Sequence, residues 1–497
     1  MDALILVLSL VAIVYIFHIL KPNNSKSSKL PPGPKPFPII GNILELGQKP
    51  HKSLTNLSKI YGPLMRLKLG SMTTVVISSP EIAKIVLQKH DQVFSNRMTP
   101  ESTRALNHRE FSVAWMPVDT QWRKLRRICK EQLFSNTRLD ASQDLRREKL
   151  QQLYDYVNGC CANSHAVDIG RAAFITSLNL VSASLFSIDI AAFDSDSSQE
   201  LNEIVFGIME LLGKPNLADY FPFLRWADPQ GILRKNVGFS SRCFKIFDEI
   251  IGERLKARES SGDSKLRNDM LETLLDVNKK NESEISIEEM KHLFIDILVA
   301  GTDTSSSSVE WAMTELVHDG EKMEKVRNEI RSVIGQNEQV QEADISKLPY
   351  LRAVIKETFR LHPVVPFLLP HKSMEDTEIN GYVVPKNSQI LTNIYAMGRD
   401  SSLWSNPDQF MPERFLDREI DFRGQYFELI PFGAGRRICP GMPLADRMVH
   451  LMVATLVHNF DWKLEQGLDL KKIDTTEHFG LSLQKAIPLK AVPVKLS

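Results

Sequence analysis

One cysteine stands in a segment whose other residues suit the binding of a flat metal macrocycle. The ten residues from Phe432 to Gly441 read FGAGRRICPG and fit the pattern F-x-x-G-x-R-x-C-x-G. A single thiolate can bind a haem iron from one side and donate electron density toward a ligand on the other side. Glycines let the backbone approach such a macrocycle closely, and Arg437 supplies a positive group for the haem propionates. We therefore predict that Cys439 ligates haem iron, with Phe432, Arg437 and Gly441 beside the cofactor.

The ordered pattern is more specific than a lone cysteine, which is more often a buried structural residue. On this pattern the chain resembles the cytochrome P-450 haem-thiolate monooxygenases, and the resemblance extends over nearly the whole length. It implies a mainly α fold with a small β portion, in which the haem is buried between the oxygen-binding helix and the cysteine-ligand loop. It also implies haem b as the cofactor, O2 as a reactant, and electrons from NADPH via NADPH–cytochrome P-450 reductase.

A second segment suits proton transfer. Residues Ala300 to Ser305 read AGTDTS, in the middle of a helical period that covers 287–318. Glycine, hydroxyl residues and aspartate compete for backbone hydrogen bonds inside a helix, which indicates a helix end, a kink or a local opening. The period resumes at once with EWAMTELV, so we expect an internal opening. The match to the family pattern A-G-x-D-T-S implies that Asp303 and Thr304 deliver protons during catalysis.

Three charged residues are assigned to structure. Glu357 and Arg360 lie three apart in KETFRLHP, and Arg414 follows in PERF. An ion pair at this spacing is common on helix surfaces and contributes little there. In the family this E-x-x-R pair and the later arginine interlock on the haem-side core, so the resemblance implies that these residues hold the fold.

Further residues are candidates for the haem propionates. Trp122 and Arg126 are four residues apart and share one face of a helix, where cation–π packing is the simpler explanation. The family motif W-x-x-x-R implies that both reach the propionates, and His371 occupies a position with the same family role. A basic cluster surrounds this motif and is either a solvated face or the docking site of an acidic reductase; its members are Lys124, Arg127 and Lys130.

Composition excludes several other classes of protein. The 497 residues contain 61 Lys plus Arg and 61 Asp plus Glu, so the formal net charge is zero and a nucleic-acid partner is disfavoured. The five cysteines form neither a C-x-x-C pair nor a cluster with zinc spacing, and their odd number does not indicate a disulfide framework. These features predict a globular protein in a reducing compartment.

The first residues predict membrane attachment. Residues 3–20 are almost entirely apolar, and a helix of this length spans ~27 Å, enough for a bilayer core. A cleaved signal peptide is the alternative, but no basic cluster precedes the run, and lysines follow it. We expect a membrane anchor at 1–21, a polar linker with a proline-rich hinge at 22–42, and a haem-thiolate catalytic domain at 43–497. The location would be the endoplasmic reticulum membrane, with the catalytic domain in the cytosol.

Hydrophobic periodicity outlines the elements that position these residues. Alternation over 64–78 predicts a β-hairpin. Three- and four-residue steps predict helices at 141–158, 201–213, 241–258, 287–318, 321–334 and 348–361, and shorter strand signals occur at 378–384, 388–393 and 481–495. Stretches at 192–199, 258–269 and 334–344 suggest surface loops. Because the strands come from both ends of the chain, two independent domains are disfavoured.

The substrate pocket is expected to be apolar, which suits a hydrocarbon-like substrate. Each candidate wall residue could equally be ordinary core, and the set is Phe111, Val113, Trp115, Phe206, Ile297, Ala300, Val365, Phe367, Leu368, Phe479 and Leu481.

The chain resembles most the plant subfamily that includes geraniol 8-hydroxylase and abietane diterpene oxidases, through stretches such as AGTDTSSSSVEWAM and FELIPFGAGRRICPGMPLA. The expected activity is hydroxylation of a terpenoid, with a monoterpenol first. The alternatives are a diterpenoid oxidase, a tyrosine or phenolic hydroxylase, a haem-thiolate isomerase or dehydratase, and a haem sensor.

Overall fold

The computed structural model describes residues 29–193, 196–260, 267, 269–281, 284–336, 338–464 and 473–496, without the side chains of 196–202. The predicted anchor at 1–21 and the linker up to residue 28 lie outside the described residues. The proline-rich hinge runs alongside the first strand: the Arg66 amide donates to the Pro32 carbonyl over 2.7 Å, and Gly41 forms bridges with Phe37 and Leu69.

Helices dominate the described chain, which confirms the predicted mainly α fold with a small β portion. The α-helices are α1 Ile43–Leu46, α2 Pro50–Tyr61, α3 Pro80–Lys84, α4 Asp91–Phe94, α5 His108–Phe111, α6 Thr120–Ile128, α7 Asn136–Ala141, α8 Gln143–Ala162, α9 Ile169–Phe186, α10 Asp196–Gly213, α11 Leu217–Tyr220, α12 Ile232–Ser260, α13 Met270–Lys280, α14 Ile287–His318, α15 Gly320–Ile334, α16 Pro349–Leu361, α17 Ile394–Met397 and α18 Met442–Asn459. Two π-helical turns continue α3 and α6, at Ile85–Lys89 and Cys129–Leu133. Short 3₁₀ segments occupy Glu101–Asn107, Pro222–Leu224, Glu342–Lys347, Pro412–Phe415 and Gly435–Arg437.

All six predicted helices are present. Several extend further than the periodicity indicated: α8 ends at Ala162 instead of 158. The largest extensions are in α10, which begins at Asp196, and in α12, which runs from Ile232 to Ser260. The surface loops predicted at 192–199 and 258–269 therefore overlap the ends of these helices.

Among the residues that the structure describes, the strands form four small sheets. The strands are β1 Leu64–Leu69, β2 Met72–Ile77, β3 Asn96–Arg97, β4 Val167–Asp168, β5 His371–Lys372, β6 Thr377–Ile379, β7 Tyr382–Val384, β8 Gln389–Thr392, β9 Phe460–Leu464, β10 Glu477–Phe479, β11 Leu483–Lys485 and β12 Lys490–Lys495. The predicted hairpin is confirmed as β1 and β2, and the largest sheet has the order β1-β2-β8-β5-β3. In this sheet β2 pairs with β8 in parallel, so distant parts of the chain meet as expected. The last strand does not join them, since β12 pairs with β4 and β9.

Helix α14 forms the centre of the helical part. It begins at a capping box in which Ser286 and Glu289 bond each other's backbone amides, which satisfies donors at the helix start. Helix α9 packs along it in the core. Within the described chain α9 is also the one helix long and apolar enough to cross a bilayer, but 83% of it is buried inside the protein, as expected of a core helix.

The predicted local opening of α14 is not observed. The helix is continuous through Ala300–Ser305. The Thr304 hydroxyl donates to the Ala300 carbonyl over 2.7 Å, and the Ser308 hydroxyl donates to the Thr304 carbonyl over 2.8 Å. Hydroxyl side chains can form such bonds one turn back without interrupting the helix, so these residues are satisfied within an unbroken α14.

Candidate active site

A cavity of about 320 Å³ lies between α14 and the loop that carries Cys439. Its wall is mainly apolar and combines residues from distant parts of the chain. The sequence-predicted site residues on this wall are Val113, Trp115, Trp122, Arg126, Ile297, Ala300, Thr304, Val365, Leu368, His371, Phe432, Arg437, Cys439, Gly441 and Leu481. The fold therefore brings the thiol, the candidate propionate ligands and most of the expected pocket to one place.

The cysteine loop is a tight turn that only glycine allows at one position. The Cys439 amide donates to the Phe432 carbonyl over 2.9 Å, which closes the loop. Gly435 has a φ of +67°, and a Cβ there would lie 2.0 Å from the Leu87 carbonyl oxygen. Helix α18 begins at Met442, directly after the loop. The turn thus presents the cysteine at the cavity wall just before a helix start.

The environment of the thiol has opposing effects on its charge. Burial raises the pKa of Cys439, whereas the Gly441 amide, the Arg126 guanidinium and the Met442 amide each lower it. Amides at a helix start and a nearby cation stabilise a thiolate. The protein therefore supplies donors for a negative sulfur, as a thiolate ligand of iron requires.

Arg437 and Trp122 meet at one carbonyl. The Trp122 indole N–H donates to the Val113 carbonyl over 3.0 Å, and Arg437 Nη1 donates to the same oxygen over 3.2 Å. The guanidinium carbon of Arg437 lies 4.5 Å from the Trp122 ring centroid. Arg126 instead donates to the Ile438 carbonyl, next to the cysteine. The predicted Trp/Arg face is therefore formed, and it adjoins the cysteine loop.

Sequence reasoning missed Arg97, a further cation on the cavity wall. Arg97 donates to the carbonyls of Leu369, over 2.8 Å, and Ala114, over 3.2 Å. Burial, followed by repulsion from Arg437 and Arg126, lowers its pKa well below the usual value. Its short segment Phe94–Met98 has no distinctive spacing, so only the pairing of β3 with β5 reveals its place.

The three guanidinium groups on this wall, those of Arg97, Arg126 and Arg437, lie close enough to repel one another. Burial and the neighbouring Arg126 lower the pKa of Arg437 to about 9, and burial beside Arg97 lowers that of His371 well below its usual value. Within the described part of the chain no ion pair joins Arg97, Arg126 or Arg437 to an acidic side chain. Like charges collected in a buried place favour an anionic ligand. The donor set therefore fits a macrocycle that bears carboxylates and whose iron takes a thiolate.

The two residues predicted to deliver protons face different surroundings. Thr304 lines the cavity, whereas Asp303 is buried outside its wall and accepts a hydrogen bond from the Gln484 amide of β11. Burial raises the pKa of Asp303 to about 6, against the opposing hydrogen bonds of Ser482 and Gln484. The pair is adjacent in sequence but no hydrogen bond joins the two side chains in the described structure, so their predicted joint role stays a proposal.

Glu357, Arg360 and Arg414 form one buried cluster. Arg360 Nε and Nη2 each donate to a different oxygen of Glu357 over 2.7 Å. Arg414 Nε and the Met411 amide donate to Glu357 Oε1 over 3.0 and 2.7 Å. Arg360 also donates to the Pro407 and Gln409 carbonyls over 2.6 and 3.0 Å. The cluster ties α16 to the segment that precedes the cysteine loop.

Four predicted pocket residues lie outside the cavity wall because aromatic partners hold them elsewhere. Phe111 stacks on His292, with ring centroids 4.9 Å apart, and Phe206 stacks on His478 at 6.4 Å. Phe367 and Phe479 contact each other edge to face at 6.1 Å. These last two line a second cavity of about 140 Å³, which shares Leu212, Leu368 and Leu481 with the first.

Asp296 is a polar residue of the main cavity that sequence reasoning did not assign. Asp296, one turn before Ala300 on α14, accepts hydrogen bonds from the Ser112 hydroxyl over 2.7 Å and the Val113 amide over 2.8 Å. His108 Nε2 lies 3.2 Å from the same carboxylate. Asp296 therefore holds the segment after α5 against α14, a contact that helical periodicity alone does not reveal.

Comparison with known proteins covers nearly the whole chain. The family model described as Cytochrome P450 matches residues 31–490. "Cytochrome P450 76T24" of Catharanthus roseus is 57% identical over 471 residues, which are 95% of this chain and 94% of the relative. "Carnosic acid synthase" of Rosmarinus officinalis is 50% identical, with 95% and 94% covered, and "Ferruginol synthase" of Isodon rubescens is 49% identical, with 95% and 96% covered. The chain therefore belongs to the cytochrome P450 family of haem-thiolate monooxygenases.

Proposed function

We propose that this cytochrome P450 uses O2 and electrons from NADPH to hydroxylate a hydrophobic plant terpenoid. The observation that carries the proposal is one cavity with a largely apolar wall that contains Cys439, Thr304 and three guanidinium groups, those of Arg97, Arg126 and Arg437. Such a wall binds a hydrocarbon skeleton and excludes water. The relatives similar over the full length include plant terpenoid oxidases, which supports the same substrate class.

The roles of the site residues follow from their chemistry. Haem, bound through Cys439, supplies the activation of O2 and the insertion of one oxygen atom into a C–H bond. Arg97, Arg126 and Arg437 hold the carboxylates of the cofactor, together with Trp122 and His371. The apolar side chains orient the substrate and keep water out. Selectivity among C–H bonds thus rests on how the wall positions the substrate.

The proton-handling residues are Thr304 and Asp303. Thr304 carries a proton on Oγ1, held on the Ala300 carbonyl and facing the cavity side of α14. With a pKa of about 6, Asp303 can exchange a proton near neutral pH. A rotation of the Asp303 side chain away from Gln484 would bring its proton toward the cavity. We assign proton delivery to this pair.

Two classes of terpenoid are candidate substrates. The sequence resemblance favours a monoterpenol over a diterpenoid as the substrate. The printed names carnosic acid synthase and ferruginol synthase, borne by relatives at about half identity, support a diterpenoid at least as well. The intact Asp303-Thr304 pair argues against a haem-thiolate isomerase or dehydratase, which has little use for proton delivery.

The electron donor is proposed to be NADPH–cytochrome P-450 reductase at the endoplasmic reticulum membrane. The basic residues beside Trp122 and Arg126 include Arg127 and Lys130, whose side chains are exposed. A positive surface near the cysteine side of the cofactor would attract an acidic reductase. Rising ionic strength should therefore slow reduction of the enzyme, and a rate independent of salt would contradict this docking site.

The test of the function is product formation in microsomes. The chain is co-expressed with a plant reductase and supplied separately with geraniol, linalool, an abietane and tyrosine, with and without NADPH. NADPH-dependent hydroxylation of geraniol alone, detected by mass spectrometry, supports the monoterpenol. Product from the abietane alone supports the diterpenoid, and product from tyrosine alone overturns the terpenoid class. Conversion without NADPH or O2 favours the isomerase.

A further inference from the structure

Asn236 is a buried polar residue in the apolar wall of the main cavity. It lies on α12 and is 4% exposed. Its Nδ2 donates to the Ser102 carbonyl over 2.8 Å, whereas Oδ1 has no hydrogen-bond partner. Among the described residues of this wall, Oδ1 of Asn236 is the one buried side-chain nitrogen or oxygen without a partner.

The orientation of the amide is fixed by its neighbour. The Ser102 carbonyl can only accept a hydrogen bond, so the Nδ2 group must face it. The atom left without a partner is therefore an acceptor. A buried acceptor without a partner lowers the stability of the free protein, and a substrate that donates a hydrogen bond to it recovers that loss.

The surroundings indicate a neutral donor. Ser240 lies one helical turn after Asn236 on α12 and lines the same cavity, so its hydroxyl can serve the same ligand group. A cationic ligand group would need a carboxylate partner, but Asp296, the acidic residue on the described wall, already contacts Ser112, Val113 and His108. An acceptor and a hydroxyl side by side match an alcohol or phenol, which both donates and accepts.

We propose that Asn236 Oδ1 accepts a hydrogen bond from a hydroxyl group of the substrate, so that the enzyme selects terpenoid alcohols or phenols over analogues without the donor. This inference rests on the proposed function and adds a specificity-determining residue to it. It does not depend on the size of the terpenoid skeleton, because the recognised group is the hydroxyl.

The test compares ligands that differ by one hydrogen-bond donor. The haem-loaded, full-length enzyme is titrated with geraniol and geranyl methyl ether, and with a phenolic abietane and its methyl ether. The dissociation constant is read from the change in Soret absorbance. For at least one pair the alcohol or phenol should bind about tenfold more tightly than its ether, from the net strength of one buried hydrogen bond.

The variant Asn236→Leu should reduce this ratio to about one. If Asn236 had only a structural role, the variant would bind both members of a pair more weakly by the same factor. The ratio of their dissociation constants would then stay unchanged, which would overturn the inference. If Asn236→Leu does not fold, Asn236→Ser replaces it in the test. Its ratio of dissociation constants should lie between that of the wild type and one. Equal affinity of alcohol and ether for the wild-type enzyme would refute the inference by itself. Failure of all four ligands to bind would refute the proposed function as well.

Discussion

Replacing Glu357 by glutamine should destabilise the protein strongly, although the spacing of the Glu357–Arg360 pair is that of a weak surface ion pair. Both side chains are fully buried, and Glu357 accepts four hydrogen bonds from Arg360, Arg414 and the Met411 amide. Glutamine keeps the shape but removes the charge that balances two buried guanidinium groups. It also places an NH₂ group where an oxygen now accepts from an arginine.

Removing one partner of a buried pair costs about 3–5 kcal/mol, because the other charge stays buried without compensation. The loss would be a large part of a typical total stability of roughly 5–15 kcal/mol. We expect Glu357→Gln to lower the urea midpoint of unfolding, followed by far-UV circular dichroism of the haem-loaded protein. The yield of the carbon monoxide complex at physiological temperature should fall with it.

A matched control separates burial from spacing. Asp144 and Arg147 form an acid–arginine pair at the same three-residue step, but their side chains are 91% and 49% exposed. The variant Asp144→Asn should lose less than about 1 kcal/mol. If Glu357→Gln lost no more than Asp144→Asn, the assignment of Glu357, Arg360 and Arg414 to holding the fold would be refuted.

Three further predictions concern the site and its loop. Thr304→Ala should still bind haem but release hydrogen peroxide, with less product per NADPH; unchanged coupling would contradict the role of the hydroxyl. Folding raises the pKa of Asp303 from 3.8 to about 6, so the folded state holds this proton more tightly and the wild type loses stability as pH rises between these values. The unfolding free energy of Asp303→Asn should therefore rise by roughly 3 kcal/mol relative to that of the wild type as the pH increases from about 4 to about 7. A difference in unfolding free energy that does not change with pH would contradict the raised pKa of Asp303. Gly435→Ala should reduce haem incorporation, measured by the carbon monoxide spectrum, because its Cβ would meet the Leu87 carbonyl at 2.0 Å. Gly159→Ala, in a helix with no atom within 4 Å of the new Cβ, should be neutral or stabilising by ~0.5–1 kcal/mol; a similar haem content in both variants would refute the steric argument.

Contiguous motifs in the sequence predict several parts of the candidate site. The cysteine loop, α14 and the E-x-x-R helix each have a pattern that is visible in one continuous stretch of the chain, and the helix bounds of α14 agree with the periodicity. The expected opening inside α14 was wrong, because composition shows which side chains can bond the backbone but not whether those bonds interrupt the helix. The i−4 bond of Thr304 preserves it.

Motifs and periodicity did not reveal Arg97 and Asn236, two polar residues that reach the cavity through tertiary pairing. Arg97 reaches the wall because β3 pairs with β5, and Asn236 because α12 packs on the segment that contains Ser102. Conversely, Phe111 and Phe206 are apolar residues near the expected segments, but stacking on His292 and His478 holds them elsewhere. Periodicity identifies a buried face without identifying which cavity that face borders.

The parallel pairing of β2 with β8 has a consequence for biosynthesis. Thr74 and Gln389, which face each other across these strands, are separated by 315 positions in the chain. At about 5–20 residues per second, the ribosome needs roughly 15–60 s to make the second strand after the first has emerged. During that interval the outer edge of β2 has no partner and can pair with another chain. Substitutions on this edge will therefore change the yield of soluble enzyme more than the stability of the molecules that finish folding.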